Sequence, residues 1–173
     1  MNIKRSKNID VLCITESHLD NSMMGWVSDV LGPDLDIVYR NRDRMRRSVR
    51  RSGGVLCIFQ KGLCEQAKVT VCDDLIWMRL GERENSHFLA VPYSVDATST
   101  HHFKNEERMF ELQNDIERFK EDGKVMVLTD ANAWIGNWPS TIFDDIAFPR
   151  KSKLKKTNEQ GKWFLSTMDA SDM

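Results

Sequence analysis

The sequence predicts a layered α/β domain of the α+β kind, with strands leading and helices alternating with a strand later. Three observations point there. Short apolar, β-branched runs recur through the first half of the chain, each bounded by turn residues. A helical period begins only at Asn105, and strand character returns at 124–129 before a last helical stretch. The composition is globular: 173 residues with 40% hydrophobic, 29% charged, 9 Gly and 4 Pro suit one domain of ordinary size, and argue against a disordered or fibrous chain.

Residues 9–15 (Ile-Asp-Val-Leu-Cys-Ile-Thr) read as a buried strand, short and apolar on both faces. Residues 36–41 form a second strand after a turn at Gly32-Pro33-Asp34. Gly53-Gly54 open a third at 55–59, and Gly62 ends it. Residues 68–72 and 75–80 are expected to make a hairpin about Asp73-Asp74, and 87–93 continues the series. From Asn105, Met109, Phe110, Leu112, Ile116 and Phe119 recur at helical spacing, with Asn105 as N-cap and Glu106-Glu107 in the first turn. Gly123 stops that helix. Strand 124–129 and helix 158–168 follow. With no repeat and no low-complexity linker, a single domain over 1–173 is expected.

Several classes of function are set aside. The formal net charge of −1 excludes a uniformly basic nucleic-acid binder, though not a local basic patch. No apolar run approaches a membrane span, and the basic start lacks the apolar core of a secretory signal. The expected location is therefore intracellular, nuclear or cytoplasmic, with no membrane partner. Cysteines 13, 57, 64 and 72 show no Cys-x-x-Cys spacing, and histidines 18, 87, 101 and 102 complete no zinc pairing with them. Walker, dinucleotide-glycine and His-Glu-x-x-His motifs are missing. Asp130-x-Asn132 is not a calcium loop, because Ile135 stands at the glycine position and no glutamate closes it.

Two polar clusters follow apolar strands, where layered folds place their sites. Thr15-Glu16-Ser17-His18 follows the first strand, and Thr129-Asp130-Ala131-Asn132 follows 125–128. Carboxylates presented there suit a hard cation such as Mg²⁺, which takes oxygen ligands and keeps waters. If the extended backbone persists, Asn132 lies on the side of Asp130 and can orient a phosphate oxygen or a water. For either cluster alone, polar residues that merely end a strand are the simpler reading. Residues 40–51 carry seven arginines, of which Arg44, Arg46, Arg47, Arg50 and Arg51 are candidate contacts to a nucleic-acid backbone. A solvated charged loop is the plain alternative. Residues 150–156 add five basic side chains. Trp134 and Trp138 follow Asn132; one could stack on a base, but packing of the loop is the preferred reading.

The run at 9–19, Ile-Asp-Val-Leu-Cys-Ile-Thr-Glu-Ser-His-Leu, resembles the glutamate motif of the endonuclease/exonuclease/phosphatase superfamily, closest to the endonucleases of non-LTR retrotransposons. Ser52-Gly53-Gly54-Val55-Leu56-Cys57-Ile58, the strand at 88–93 and Val127-Leu128-Thr129-Asp130-Ala131-Asn132-Ala133 follow in family order. Asn158-Glu159-Gln160-Gly161-Lys162 resembles the next helix start. The resemblance implies a DNase I-like sandwich and phosphodiester hydrolysis with Mg²⁺, Mn²⁺ substituting. It implies DNA as partner, and fusion to or derivation from a reverse transcriptase polyprotein. Glu16 matches the metal-binding glutamate, Asp130 and Asn132 the pair that positions water and phosphate, and Tyr93 a tyrosine that donates to the scissile phosphate. His18 is not the family's histidine and is read as a surface or supporting residue.

Two departures stand out. Pro92 precedes Tyr93, where the family tends to place proline after it, and Thr129 replaces the usual glycine. The family's early asparagine strand and its terminal Ser-Asp-His have no counterpart; Ser171-Asp172-Met173 is no substitute, because methionine cannot replace histidine as a proton donor. The expectation is therefore a partial domain, truncated at both ends, with activity weak or lost and a fold that is unstable alone. The alternatives are a non-catalytic remnant that binds nucleic acid through residues 40–51, and a superfamily member acting on a phosphorylated lipid or small molecule.

Overall fold

Three antiparallel strands, β1 (Val11–Thr15), β2 (Leu35–Arg40) and β3 (Val55–Gln60), form the first sheet in the order β1-β3-β2. The computed structural model describes residues 9–41, 53–69, 75–81, 86–94, 104–136, 142–143, 146–147, 155–171 and 173. β3 takes the centre because Val55 to Phe59 are apolar at every position and suit a strand covered on both faces. Leu56 and Ile58 point to one face, where they pack with Met24 and Val27 of α1 (Met24–Leu31) and with Leu12, Ile14, Ile37 and Tyr39. Each such side chain contributes about 1.5–3 kcal/mol of burial. The pattern in the sequence does not anticipate α1. It is short, contains Gly25, and leaves Trp26 and Val30 exposed, which breaks the apolar stripe.

The second sheet has the order β4-β5-β6-β7, from β4 (Cys64–Val69), β5 (Leu75–Leu80), β6 (His87–Pro92) and β7 (Lys124–Val127). β4 starts earlier than the 68–72 expected. Backbone pairing with β5 extends the strand back to Cys64 through an irregularity between Cys64 and Gln66, a stretch with no apolar alternation to announce it. β5 and β6 pair antiparallel, and β6 and β7 pair parallel. A parallel pair needs a crossover, and α2 (Lys104–Lys120) lies in that connection.

Phe119, near the end of α2, stacks on Phe88 of β6 with ring centroids 4.5 Å apart and meets the Trp77 ring of β5 edge-on at 4.7 Å. Gly123 follows. Any Cβ there would strike the Ser86 carbonyl, which accepts instead from Lys124 N at 3.1 Å and so starts β7 in register. The helix differs from expectation in two respects. Asn105 is not the cap, because α2 already begins at Lys104; it is buried and its Oδ1 accepts from Arg108 at 3.0 Å. Phe110, counted among the apolar stripe, is 65% exposed, while Met109, Leu112 and Ile116 are buried.

The chain divides into two compact units, Met1–Tyr93 with Arg118–Thr129 and Ser94–Glu117 with Asp130–Met173. The first holds both sheets and α1, and β2 approaches β4 and β5 within it. The second holds most of α2, the short pair β8 (Ile142–Phe143) and β9 (Ile146–Ala147), and α3 (Glu159–Ala170). There Thr167 Oγ1 of α3 reaches the Met109 carbonyl of α2 at 3.5 Å. Among the described residues no helix is long and apolar enough to cross a membrane.

Cys13 and Cys57, read as small hydrophobes, face each other across β1 and β3 in direct register. Their hydrogen bond holds the Cys13 thiol below the usual cysteine value and, together with burial, pushes Cys57 up. Since the thiolate is the nucleophile, iodoacetamide applied to the native protein should label Cys13 and spare Cys57 until the chain is denatured. Labelling of Cys13, followed by peptide mass mapping, should rise with pH through a midpoint below that of an unperturbed thiol.

Candidate functional site

β1 ends at Thr15, and the next three residues turn sharply. Glu16 and His18 both adopt left-handed backbone, with φ of 51° and 53°. Such conformations strain a non-glycine residue by about 1–3 kcal/mol and persist only where the surroundings enforce them. Here the enforcement is visible: Ser17 N donates to the Gly54 carbonyl at 3.2 Å, and His18 N to the Gly53 carbonyl at 3.1 Å. Gly54, at φ +94°, allows this approach, because a Cβ there would sit 2.8 Å from Ser17 Oγ and 3.3 Å from the Arg40 carbonyl.

The Glu16 carboxylate is held from one side. Tyr93, at the end of β6 and only 4% exposed, donates its hydroxyl to Glu16 Oε1 at 2.5 Å. Oε2 lies 4.0 Å from His18 Nε2, and both side chains are about half exposed, at 51% and 52%. One oxygen is thus fixed by a buried donor while the other faces His18 on a half-exposed side chain. Tyr93 is neither an edge-strand aromatic nor free, and His18 stands beside the carboxylate. β6 and β7 run parallel, so Tyr93 and Thr129 emerge at the same edge of the sheet, where Thr129 Oγ1 donates to the Pro92 carbonyl at 2.8 Å.

Asp130 and Asn132 form the other cluster, in the second unit. The extended backbone expected between them does not persist. Asn132 turns to φ 45°, its N–H donates to Asp130 Oδ1 at 3.2 Å, and its side-chain amide donates to the Ser94 carbonyl at 2.7 Å. Asparagine accepts this left-handed conformation more readily than most residues, so the local hydrogen bonds win over strand continuation. Ser94 N in turn donates to the Asp130 carbonyl at 3.1 Å.

Asn158, noted in the sequence only as a helix start, fastens this loop. Its Oδ1 accepts from Gly161 N at 2.8 Å, as an N-cap, and from Trp134 N at 2.9 Å. Its side-chain amide reaches the Asn132 carbonyl at 3.4 Å, and its own N–H donates to the Trp134 carbonyl at 2.9 Å. Gly161 is required, since a Cβ there would collide with the Trp134 carbonyl. The Asn-Glu-Gln-Gly sequence signals the cap; nothing in it signals the bonds to residues twenty-odd positions earlier.

Arg44, Arg46, Arg47, Arg50 and Arg51 lie outside the described residues, as do Trp138 and 150–154. Asn41, just before the arginine segment, is fastened by a 3.2 Å bond from its amide to Asn21 Oδ1. Among the described residues no three His, Cys, Asp or Glu side chains converge to hold a metal. A groove of about 690 Å³ along α3, lined by Thr157, Lys162 and Leu165 among others, contains none of the site residues expected from the sequence.

Solved structures share this architecture. The catalytic domain of human nocturnin, with bound sulfate, matches at 15% identity and a TM-score of 0.50, over 72% of this chain and 52% of that one. TDP2 from C. elegans matches at 15% identity and a TM-score of 0.50, over 71% of this chain and 38% of that one. The fold is DNase I-like. The chain thus spans about half the nocturnin chain it matches and less of TDP2. No protein-family model matches the sequence, and no curated protein matches it.

Replacing Asn158 by alanine should lower stability by about 1 kcal/mol, as loss of an N-cap does, measured by urea denaturation. Asn158→Asp keeps the acceptor for Gly161 and Trp134 and should stay within about 0.5 kcal/mol of wild type. Gly161→Ala should destabilise by more than Asn158→Asp, because backbone rather than a flexible side chain opposes the added methyl.

Proposed function

We propose that this chain is a phosphodiester-hydrolysing domain acting on nucleic acid, with a divalent cation such as Mg²⁺ or Mn²⁺, of the type found in retrotransposon endonucleases. The observation that carries this reading is Glu16: a half-exposed carboxylate on strained backbone, one oxygen held by a buried tyrosine and the other facing His18. Among the described residues, the three non-glycine residues in left-handed backbone are Glu16, His18 and Asn132, all within the two clusters singled out by chemistry. Backbone strain concentrated there is what functional sites show. The shared DNase I-like fold supports the reading at the level of architecture.

A hard cation fits the donor set. Glu16 Oε2, on a half-exposed side chain, would serve as an oxygen ligand, and Mg²⁺ needs only one or two carboxylates when waters complete its shell. When bound, such an ion supplies positive charge to the phosphate oxygens. The chain's own residues do the remainder in this proposal. Tyr93 fixes the Glu16 carboxylate in one rotamer. Asp130, exposed and with Oδ1 already accepting from Asn132 N, presents Oδ2 as acceptor for the proton of an attacking water. Asn132, with its amide engaged on Ser94, offers Oδ1 as an acceptor that orients that water.

Nicking of supercoiled plasmid in Mg²⁺ is the test. Glu16→Gln and Asp130→Asn should each lower the nicking rate at least ~100-fold, the usual scale of a lost catalytic carboxylate. Tyr93→Phe should lower it about tenfold, in line with one hydrogen bond to a charged group. Nicking that is equal in wild type and both carboxylate variants would defeat the proposal. Salt-sensitive DNA binding without any nicking would favour a binding role for residues 40–51.

A further inference from the structure

Trp134 departs from what the sequence suggests for it. Instead of packing its loop, its side chain leaves the residue 52% exposed, two positions beyond Asn132. The backbone beneath it is fixed on both sides: its N–H is taken by Asn158 Oδ1 and its carbonyl by Asn158 N. An isolated antiparallel bridge between Ile135 and Thr157 extends this anchoring and places Lys155 and Lys156, both exposed, on the segment alongside Ile135 and Gly136. Lys162, also exposed, lies one turn into α3, its N–H on the Asn158 carbonyl. A large aromatic held in water on rigid backbone loses apolar burial with no structural return. The segment bridged to it carries lysines and an asparagine, unlike the charge-depleted apolar centre of a protein-docking patch.

We propose that Trp134 is a base-stacking residue: its indole takes the face of an unpaired nucleobase while Lys155 and Lys156 meet the neighbouring phosphates. This inference rests on the nucleic-acid reading above and names the strand state it selects, single-stranded or locally unpaired. A flat π-face beside positive charge is what single-strand binders present, and the contact tolerates any base. The anchoring by Asn158 matters because a platform that is already ordered does not give up conformational entropy when the base arrives.

The experiment measures binding by fluorescence anisotropy, at low salt and without divalent cation so that no cleavage intervenes. Two labelled probes of equal length and charge are used, an oligothymidylate and an abasic oligomer. Wild type should bind the oligothymidylate about tenfold more tightly than the abasic probe, and Trp134→Ala should lose that preference, a shift within the range of one stacked base. Trp134→Phe should keep most of it. Lys155→Ala with Lys156→Ala should weaken both probes alike and flatten the salt dependence. Equal affinity of wild type for both probes overturns the stacking role, and so does a Trp134→Ala protein that keeps the preference. The wild-type comparison decides the matter even if Trp134→Ala fails to fold. Binding of neither probe overturns the stacking role and the nucleic-acid reading together, whereas binding of both with no preference overturns stacking alone.

Discussion

A single strand, paired on both sides and buried beyond its first residue, sets the geometry at its own C-terminal end. β6 takes β5 on one edge and β7 on the other, and Phe88 to Val91 are buried in succession. A strand so enclosed cannot shift register without moving apolar side chains to the wrong face. Phe88 adds a lock through its stacking on Phe119, which ties the end of α2 to the sheet before Gly123 turns the chain into β7. Tyr93 follows at the end of this strand, almost wholly inside the protein. Its hydroxyl then requires a partner, since an unmade hydrogen bond in that position costs about 1–3 kcal/mol. Glu16 meets that requirement, and a constraint of packing becomes the orientation of a carboxylate.

The two glycines that open β3 work from the opposite direction. Glu16 and His18 are held in backbone conformations they would not choose, and the carbonyls of Gly53 and Gly54 accept the N–H groups that hold them there. Burial and strain are thereby divided along one strand pair. The apolar faces of β1 and β3 carry burial, while the turn beyond Thr15 stores strain that the sheet behind it can bear. The same division recurs at Asn132, where side-chain and backbone hydrogen bonds replace the strand ladder as soon as β7 has ended.

What could be read in the sequence was whatever depends on neighbours in the chain. Strands with continuous apolar runs, such as 55–59 and 75–80, declare themselves, and polar groups placed just after them mark Glu16 and Asp130 for attention. The DNase I-like architecture followed from the order of several weak motifs. Features made by distant residues were hidden: the Tyr93–Glu16 bond joins positions 77 apart, and Asn158 reaches back 24 residues to Trp134. Local rules also misled where tertiary packing overrode them. Asn105 looks like a cap but is buried within the helix, and Phe110 fits the helical period yet faces water. α1 stayed invisible because only Met24 and Val27 of its eight residues are buried.

Pro92 and Thr129, the two residues that depart from the resembled motifs, turn out to be partners. Proline at position 92 has no N–H to give the ladder, though its carbonyl still requires a donor. β7 ends at Val127, and Leu128 N still donates to the Ala90 carbonyl at 2.9 Å. A glycine at 129 would offer no side chain to the carbonyl beyond it. Thr129 supplies a hydroxyl, which donates to the Pro92 carbonyl at 2.8 Å and adds a side-chain bond to the backbone pairing of β6 and β7. Proline before Tyr93 and threonine before Asp130 are therefore best understood as one adjustment, made at the sheet edge from which both residues depart. The rigidity that glycine would lose there is restored by the β-branched side chain, whose χ1 is restricted from the outset.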